Sequence, residues 1–336
     1  MSSPDIGDVH VNTLLTNVSI GYKPAGFFAA QMFPVVPVDK QTDIYPVYNR
    51  SHWARDLGAP GAAPTGSAQA VRRAPGTRAR TVGYAIDNTN TYRCVNYALG
   101  MEIPDELRQN ADSVFNLDRD ATTLLQSLIQ LRFDREAAAD MIVSGGWDSL
   151  TVSNKWNDYA ASTPLEDIRA GKQGIRRGTL GMASGGGVKL LVGALVDQRL
   201  KDHPDILARF QYGASAAQPA KITNQLIAQL FEIDEYNVAE SVYTDSEEGT
   251  AEASASYTDV VADDVLLYWT PPSAQQMAPS AGYLFNWKSM AGGNGLFFAR
   301  KGREERERYD WVEVHAYLDW IVTNVNAGRL SVDAVD

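Results

Sequence analysis

Residues 50 to 80 read RSHWARDLGAPGAAPTGSAQAVRRAPGTRAR, running from Arg50 to Arg80. Eight alanines, four glycines and three prolines fill about half of this stretch. Its sizeable apolar groups are Trp53, Leu57 and Val71, so the stretch has too little apolar surface to build a core of its own. Six arginines (Arg50, Arg55, Arg72, Arg73, Arg78 and Arg80) face one acid, Asp56, giving +5 within a chain of net charge −11. The remainder therefore carries −16. A cationic, coreless excursion from an acidic body reads as a reaching element, ordered against another molecule.

Working outward, 44–48 and 81–86 are short β-prone runs that flank the stretch like the legs of a long hairpin. The loop between them far exceeds a normal hairpin turn, and loops of that length are usually functional or disordered. Before the hairpin, 1–44 reads as an extended arm, punctuated by Pro24, Pro34 and Pro37, with apolar clusters at Phe27-Phe28 and Val35-Val36. After it, the spacing predicts a helix over 112–143. Leu117, Ala121, Leu124, Leu128 and Leu131 form one stripe, and Leu125, Ile129, Phe133, Ala137 and Met141 form a second beside it. Together they give a wide apolar face on a helix about 48 Å long, ended by Gly145-Gly146.

Thr163-Pro164-Leu165-Glu166 is a capping-box start to another helix. Strands are expected at 188–192, 238–243 and 260–269, with helices near 195–200 and from Thr223 to Phe231. Near the C-terminus, Val312, Val314, Ala316, Leu318, Trp320 and Val322 alternate with Glu313, His315, Asp319 and Thr323. That period of two predicts a half-buried antiparallel strand. The fold class is α+β.

At 336 residues the chain has room for one large domain or two to three smaller ones. Its acidity argues against a surface built to grip nucleic acid. One cysteine, Cys94, excludes an internal disulfide and a thiolate metal cage. The N-terminus shows no signal-peptide pattern. The uncharged run 265–287 contains Pro271, Pro272, Gln275, Gln276 and Pro279 and reads as a strand and loop, with no membrane span.

Chemistry is thin. His10, His52, His203 and His315 are far apart and lack ligand-spaced partners. The glycine-rich 181–189 precedes a strand and lacks the Gly-Lys-Ser/Thr ending of a phosphate loop. It also lacks a G-x-S-x-G nucleophile elbow, so a flexible linker is expected. No catalytic, cofactor or metal residues are assigned, and no enzyme is expected.

The order of elements resembles the major capsid proteins of tailed phages, the Hong Kong 97-type fold. So does local sequence: Lys155-Trp156-Asn157-Asp158 ahead of Thr163 to Ile168, Val192 to Val196 with Leu200 to Pro204 and Ile206, and Ile222-Thr223 through Glu240. The resemblance implies an N-terminal arm over 1–44 and an extended loop over 45–86. A peripheral domain would follow over 87–186, with its spine helix at 112–143. An axial domain would occupy 187–300, and a returning strand 301–336.

The resemblance further implies self-assembly into hexamers and pentamers of an icosahedral virion shell around double-stranded DNA, built in the host cytoplasm. A portal at one vertex, a separate scaffolding protein and a decoration protein are the implied partners. No lysine occurs between Lys40 and Lys155, so a lysine crosslink from the extended loop is not expected. The six arginines are the candidate intersubunit contacts. The alternatives are an encapsulin-type cellular shell and a soluble enzyme with a dispersed site.

Overall fold

The computed structural model describes residues 26–48, 50–54, 75–76, 78, 81, 83–111, 116–143, 146–213, 222–247, 250–274, 278–288 and 295–336. The elements in chain order are α1 (Ala29–Met32), β1 (Val35–Val38), β2 (Thr42–Ile44), β3 (Val47–Tyr48), α2 (Arg50–Trp53), β4 (Ile86–Asp87), β5 (Thr91–Arg93), β6 (Val95–Pro104), α3 (Asp105–Asn110) and α4 (Leu117–Ala137). They continue with β7 (Asp148–Ser149), α5 (Pro164–Gly178), β8 (Val188–Gly193), α6 (Ala194–Asp202), α7 (Pro204–Gly213), α8 (Asn224–Phe231), β9 (Glu235–Ala239), β10 (Val242–Thr244) and β11 (Tyr257–Asp259). The last strands are β12 (Val265–Trp269), β13 (Gly282–Trp287), β14 (Phe298–Glu304), β15 (Tyr309–Val322) and β16 (Gly328–Ser331). The chain divides into two units, a small one over Thr42–Tyr92 and a large one formed by the rest.

In the large unit, β15 organises a sheet. It pairs antiparallel with β6 along ten residues, with β14 and with β13, and β1 adds in parallel to β13. The alternating residues Val312, Val314, Ala316 and Leu318 are buried, as a half-buried strand requires. Helix α4 packs on this face through Ala121, Leu125, Ile129, Phe133 and Ala137, all buried at a spacing of four. Asn116 caps its start by accepting the Arg119 N–H.

The rest of the first apolar stripe behaves differently. Leu124 is 51% exposed, so the sequence's wide face resolves into a narrow buried seam with an apolar residue left outside. Beyond Ala137 the helix continues as π-helix to Val143.

A second sheet runs β7-β16-β12-β8-β9. All five residues of β12 are buried, because both faces are covered. Leu191, Leu266 and Tyr268 join the core under α4. Leu190, Val192, Val265 and Leu267 join another core with α5, α6 and α8. This accounts for the start of the uncharged run as a fully buried strand, whereas its end, expected to be loop, forms β13 in the other sheet; no helix among the described residues is long and apolar enough to cross a membrane.

Three local expectations change. The arm is more than an extended polar segment from residue 26 onward: Phe28, Ala29, Met32 and Phe33 are buried in the core. Asp134 of α4 accepts the Ala29 N–H at 2.9 Å, and Trp320 donates to the Ala29 carbonyl. Residues 1–25 of that reading lie outside the described residues. Thr163 precedes α5, yet its side chain makes no cap bond. The expected glycine linker is structured: Met182–Gly185 forms a 3-10 turn, and the Trp269 indole donates to the Gly186 carbonyl at 2.7 Å. Gly187 adopts φ +88° against Trp269 and the Thr270 carbonyl, where a Cβ would not fit.

Candidate assembly interface

The small unit is held by short ladders. Val47 pairs with Asp87 and Tyr48 with Ile86, antiparallel. β2 pairs with β5, and the Tyr45 N–H donates to the Asn90 carbonyl. A hairpin is present, but its returning leg lies later than the 81–86 expected from sequence. The shift follows from chemistry at Asp87. Its carboxylate accepts both the Thr89 N–H and the Thr89 hydroxyl, which holds its pKa below the ordinary value and fixes the turn into β5.

Between the legs, the sequence candidates divide. Arg50 opens the short helix α2 and is exposed. Arg78 is exposed. Arg55, Arg72, Arg73 and Arg80 lie outside the described residues. The structure therefore does not gather the six arginines into one described patch.

It gathers something else. Tyr48, Trp53 and Tyr84 form a triangle of rings, with centroids 6.5 Å apart for Tyr48–Trp53, 6.0 Å for Tyr48–Tyr84 and 6.3 Å for Trp53–Tyr84. Trp53 remains 55% exposed and Tyr84 60%. Ile44 and Ile86 are exposed as well. Among the described residues of this unit, Tyr92 alone appears in the buried core. Sequence reasoning marked Trp53 as one of three sizeable apolar groups in 50–80, beside Leu57 and Val71. It missed the triangle because 36 and 31 residues separate Tyr84 from its two partners.

The two units carry opposite charge. Residues 42–92 hold six arginines against Asp43, Asp56 and Asp87, a net +3, which leaves −14 on the rest. Within the large unit the acidity is local: no lysine or arginine occurs between Lys221 and Lys288, where eleven acids lie. That number equals the net charge of the whole chain, so everything outside this stretch is neutral on balance. The stretch builds α8 and β9 to β13.

Other polar clusters are structural. His203 is fully buried. Its Nδ1 accepts the Asp205 N–H at 3.2 Å, and its Nε2 lies 3.0 Å from the Ser162 hydroxyl. Because Nδ1 is an acceptor, Nε2 carries the proton and donates to Ser162, the wrong tautomer for a general base toward that serine. Desolvation holds the His203 pKa below the ordinary value. His315 stacks on Phe298 and pairs with Glu313. The described residues contain no cluster of three or more metal-ligating side chains.

A long helix packed on a long-stranded sheet, a second sheet with its own helices, and a separate hairpin unit match the Hong Kong 97-type capsid fold. The chain resembles the major capsid proteins of tailed phages. It is 24% identical over 288 residues to the major capsid protein of Burkholderia phage BcepMu, covering 83% of this chain and 84% of that one. A crystal structure of a phage-related protein from Bordetella bronchiseptica RB50 superposes with a TM-score of 0.63 at 20% identity, covering 96% and 97% of the two chains. The mature capsid of bacteriophage PhiM1 matches with a TM-score of 0.57 at 12% identity, covering 96% and 91%. No family model matches.

Proposed function

We propose that this chain is the major capsid protein of a tailed bacteriophage, a structural subunit that assembles into hexamers and pentamers of an icosahedral shell around double-stranded DNA. The observation that carries the reading is the agreement of nearly the entire chain with a phage-related protein of almost the same length, with little left over on either side. In this reading 87–186 forms the peripheral domain and 187–300 the axial domain, and 301–336 returns to the peripheral sheet.

The hairpin over 45–86 is the strap between subunits. Arg50, Arg55, Arg72, Arg73, Arg78 and Arg80 meet carboxylates of a neighbour. Arginine pairs with carboxylate in a planar bidentate geometry, yet each exposed pair contributes only roughly 0–1 kcal/mol. Repetition around a closed shell multiplies the effect. An acidic inner surface lets packed DNA slide past without adhesion, since binding would require cationic groups to neutralise phosphate. A separate scaffolding protein, a portal and a decoration protein complete the assembly.

Expression of the full chain, followed by negative-stain microscopy and size-exclusion chromatography, tests this. Closed particles are expected. A species that stays monomeric to tetrameric under all assembly conditions refutes the shell. Particles filled with protein cargo instead of DNA would identify a cellular compartment.

A further inference from the structure

We propose that Tyr48, Trp53 and Tyr84 form the apolar anchor by which one copy of this chain docks on the acidic large unit of a second copy. This rests on the shell reading above and names what carries the strap's contact energy. Among its described residues the small unit has one buried apolar side chain, Tyr92, whereas Ile44, Trp53, Tyr84 and Ile86 are exposed. Apolar surface of that kind is stabilised only by removal from water.

The triangle has the composition of an interface hot spot. Tryptophan and tyrosine dominate such sites, and charged neighbours around them add little affinity singly. The ring contacts hold all three side chains in place before docking, which reduces the ordering cost on association. The partner follows from charge. The unit bearing the triangle is +3, the rest of the chain is −14, and Arg50 sits three residues from Trp53 on the same short helix. A second copy therefore supplies a surface of opposite sign. Steering falls to the arginines and retention to the rings, because complementary charge raises the on-rate whereas buried aromatic contact slows dissociation.

The test uses the full chain under conditions in which the unchanged protein forms particles. Trp53→Ala with Tyr84→Ala should lower particle yield at least ~10-fold, with far-UV circular dichroism of the free subunit unchanged. Arg50→Ala with Arg78→Ala should slow assembly and still give particles. A photo-crosslinking amino acid at position 53 should produce covalent dimers within particles, and this decides the matter should the double alanine variant fail to fold. Normal yield from the aromatic variant, or crosslinks confined within one chain, overturns the anchor and leaves the shell reading intact. Absence of particles from the unchanged chain under every condition removes the shell reading itself, and the anchor with it.

Discussion

Replacing Asp118 by asparagine removes one charge from the joint that holds α4 to its neighbours. The carboxylate sits in the first turn of α4. It takes Arg108 of α3 at 2.8 Å and Lys301 of β14 at 2.6 Å. Arg108 also reaches Asp310, and Arg303 bridges Asp105 and Asp310. The hydrogen bond from Arg108, aided by Lys301, holds the Asp118 pKa down at about 2, against an ordinary value of 3.8. That gap corresponds to roughly 2.5 kcal/mol if fully expressed. The side chain is 31% exposed, so solvent screening reduces the expectation to about 1 kcal/mol.

The pH dependence has a definite sign. A depressed carboxylate stabilises the fold fully above its unfolded pKa and loses that contribution as pH falls through the folded value. The cost of Asp118→Asn should therefore be about 1 kcal/mol at pH 7 and fade between pH 4 and pH 2. Urea titration of the unassembled subunit measures it as a shift of midpoint at constant slope. The shift should shrink in 1 M salt, where exposed pairs are screened. It should also be non-additive with Lys301→Met. A shift that is salt-independent, or additive with Lys301→Met, would refute the electrostatic account.

Three further outcomes are expected. Phe133→Ala should cost about 3–5 kcal/mol in urea titration, because the ring packs 4.8 Å from Tyr97 and 4.9 Å from Trp320 at the centre of the α4 seam. Gly178→Ala should cost about 2 kcal/mol or more, since the new methyl would collide with the Asn326 carbonyl, which is backbone and has little freedom to retreat; thermal unfolding would show it. The depressed pKa of buried His203 predicts stability that is complete above about pH 6.5 and declines as pH falls below it. His203→Gln should flatten that acid limb in melts between pH 4 and pH 7.

Much of the fold was legible because several segments obey a single period. β15 alternates cleanly, and the α4 seam from Ala121 to Ala137 recurs every four residues. Those patterns reflect burial on one face, which sequence records directly. Where two faces are buried, or a segment is completed from a distance, the record weakens. The arm is an example: Phe27-Phe28 reads as a short apolar cluster on an extended, otherwise polar arm, and Phe33 gives no periodic signal. The burial of Phe28 and Phe33 depends on residues far along the chain: Asp134 accepts from the Phe28 and Ala29 N–H groups, and Tyr268 meets the Phe33 ring edge-on. Leu124 shows the converse, an apolar residue on helical spacing that the subunit leaves outside. For the candidate interface, the charge of the hairpin stretch was plain from composition, whereas the ring triangle required the register of β3 with β4 to become visible.

The arm's burial also dictates when this protein is able to fold during synthesis. Ala29 is tied to Trp320, 291 positions later. β6 obtains its only pairing partner among the described strands when β15 emerges. Contacts of such sequence separation form slowly, and chains awaiting them expose apolar surface. A ribosome has passed position 320 before the core under α4 is able to close. Chains that stop short of β15 consequently lack the strand that joins β6, β13 and β14, and their central sheet stays open.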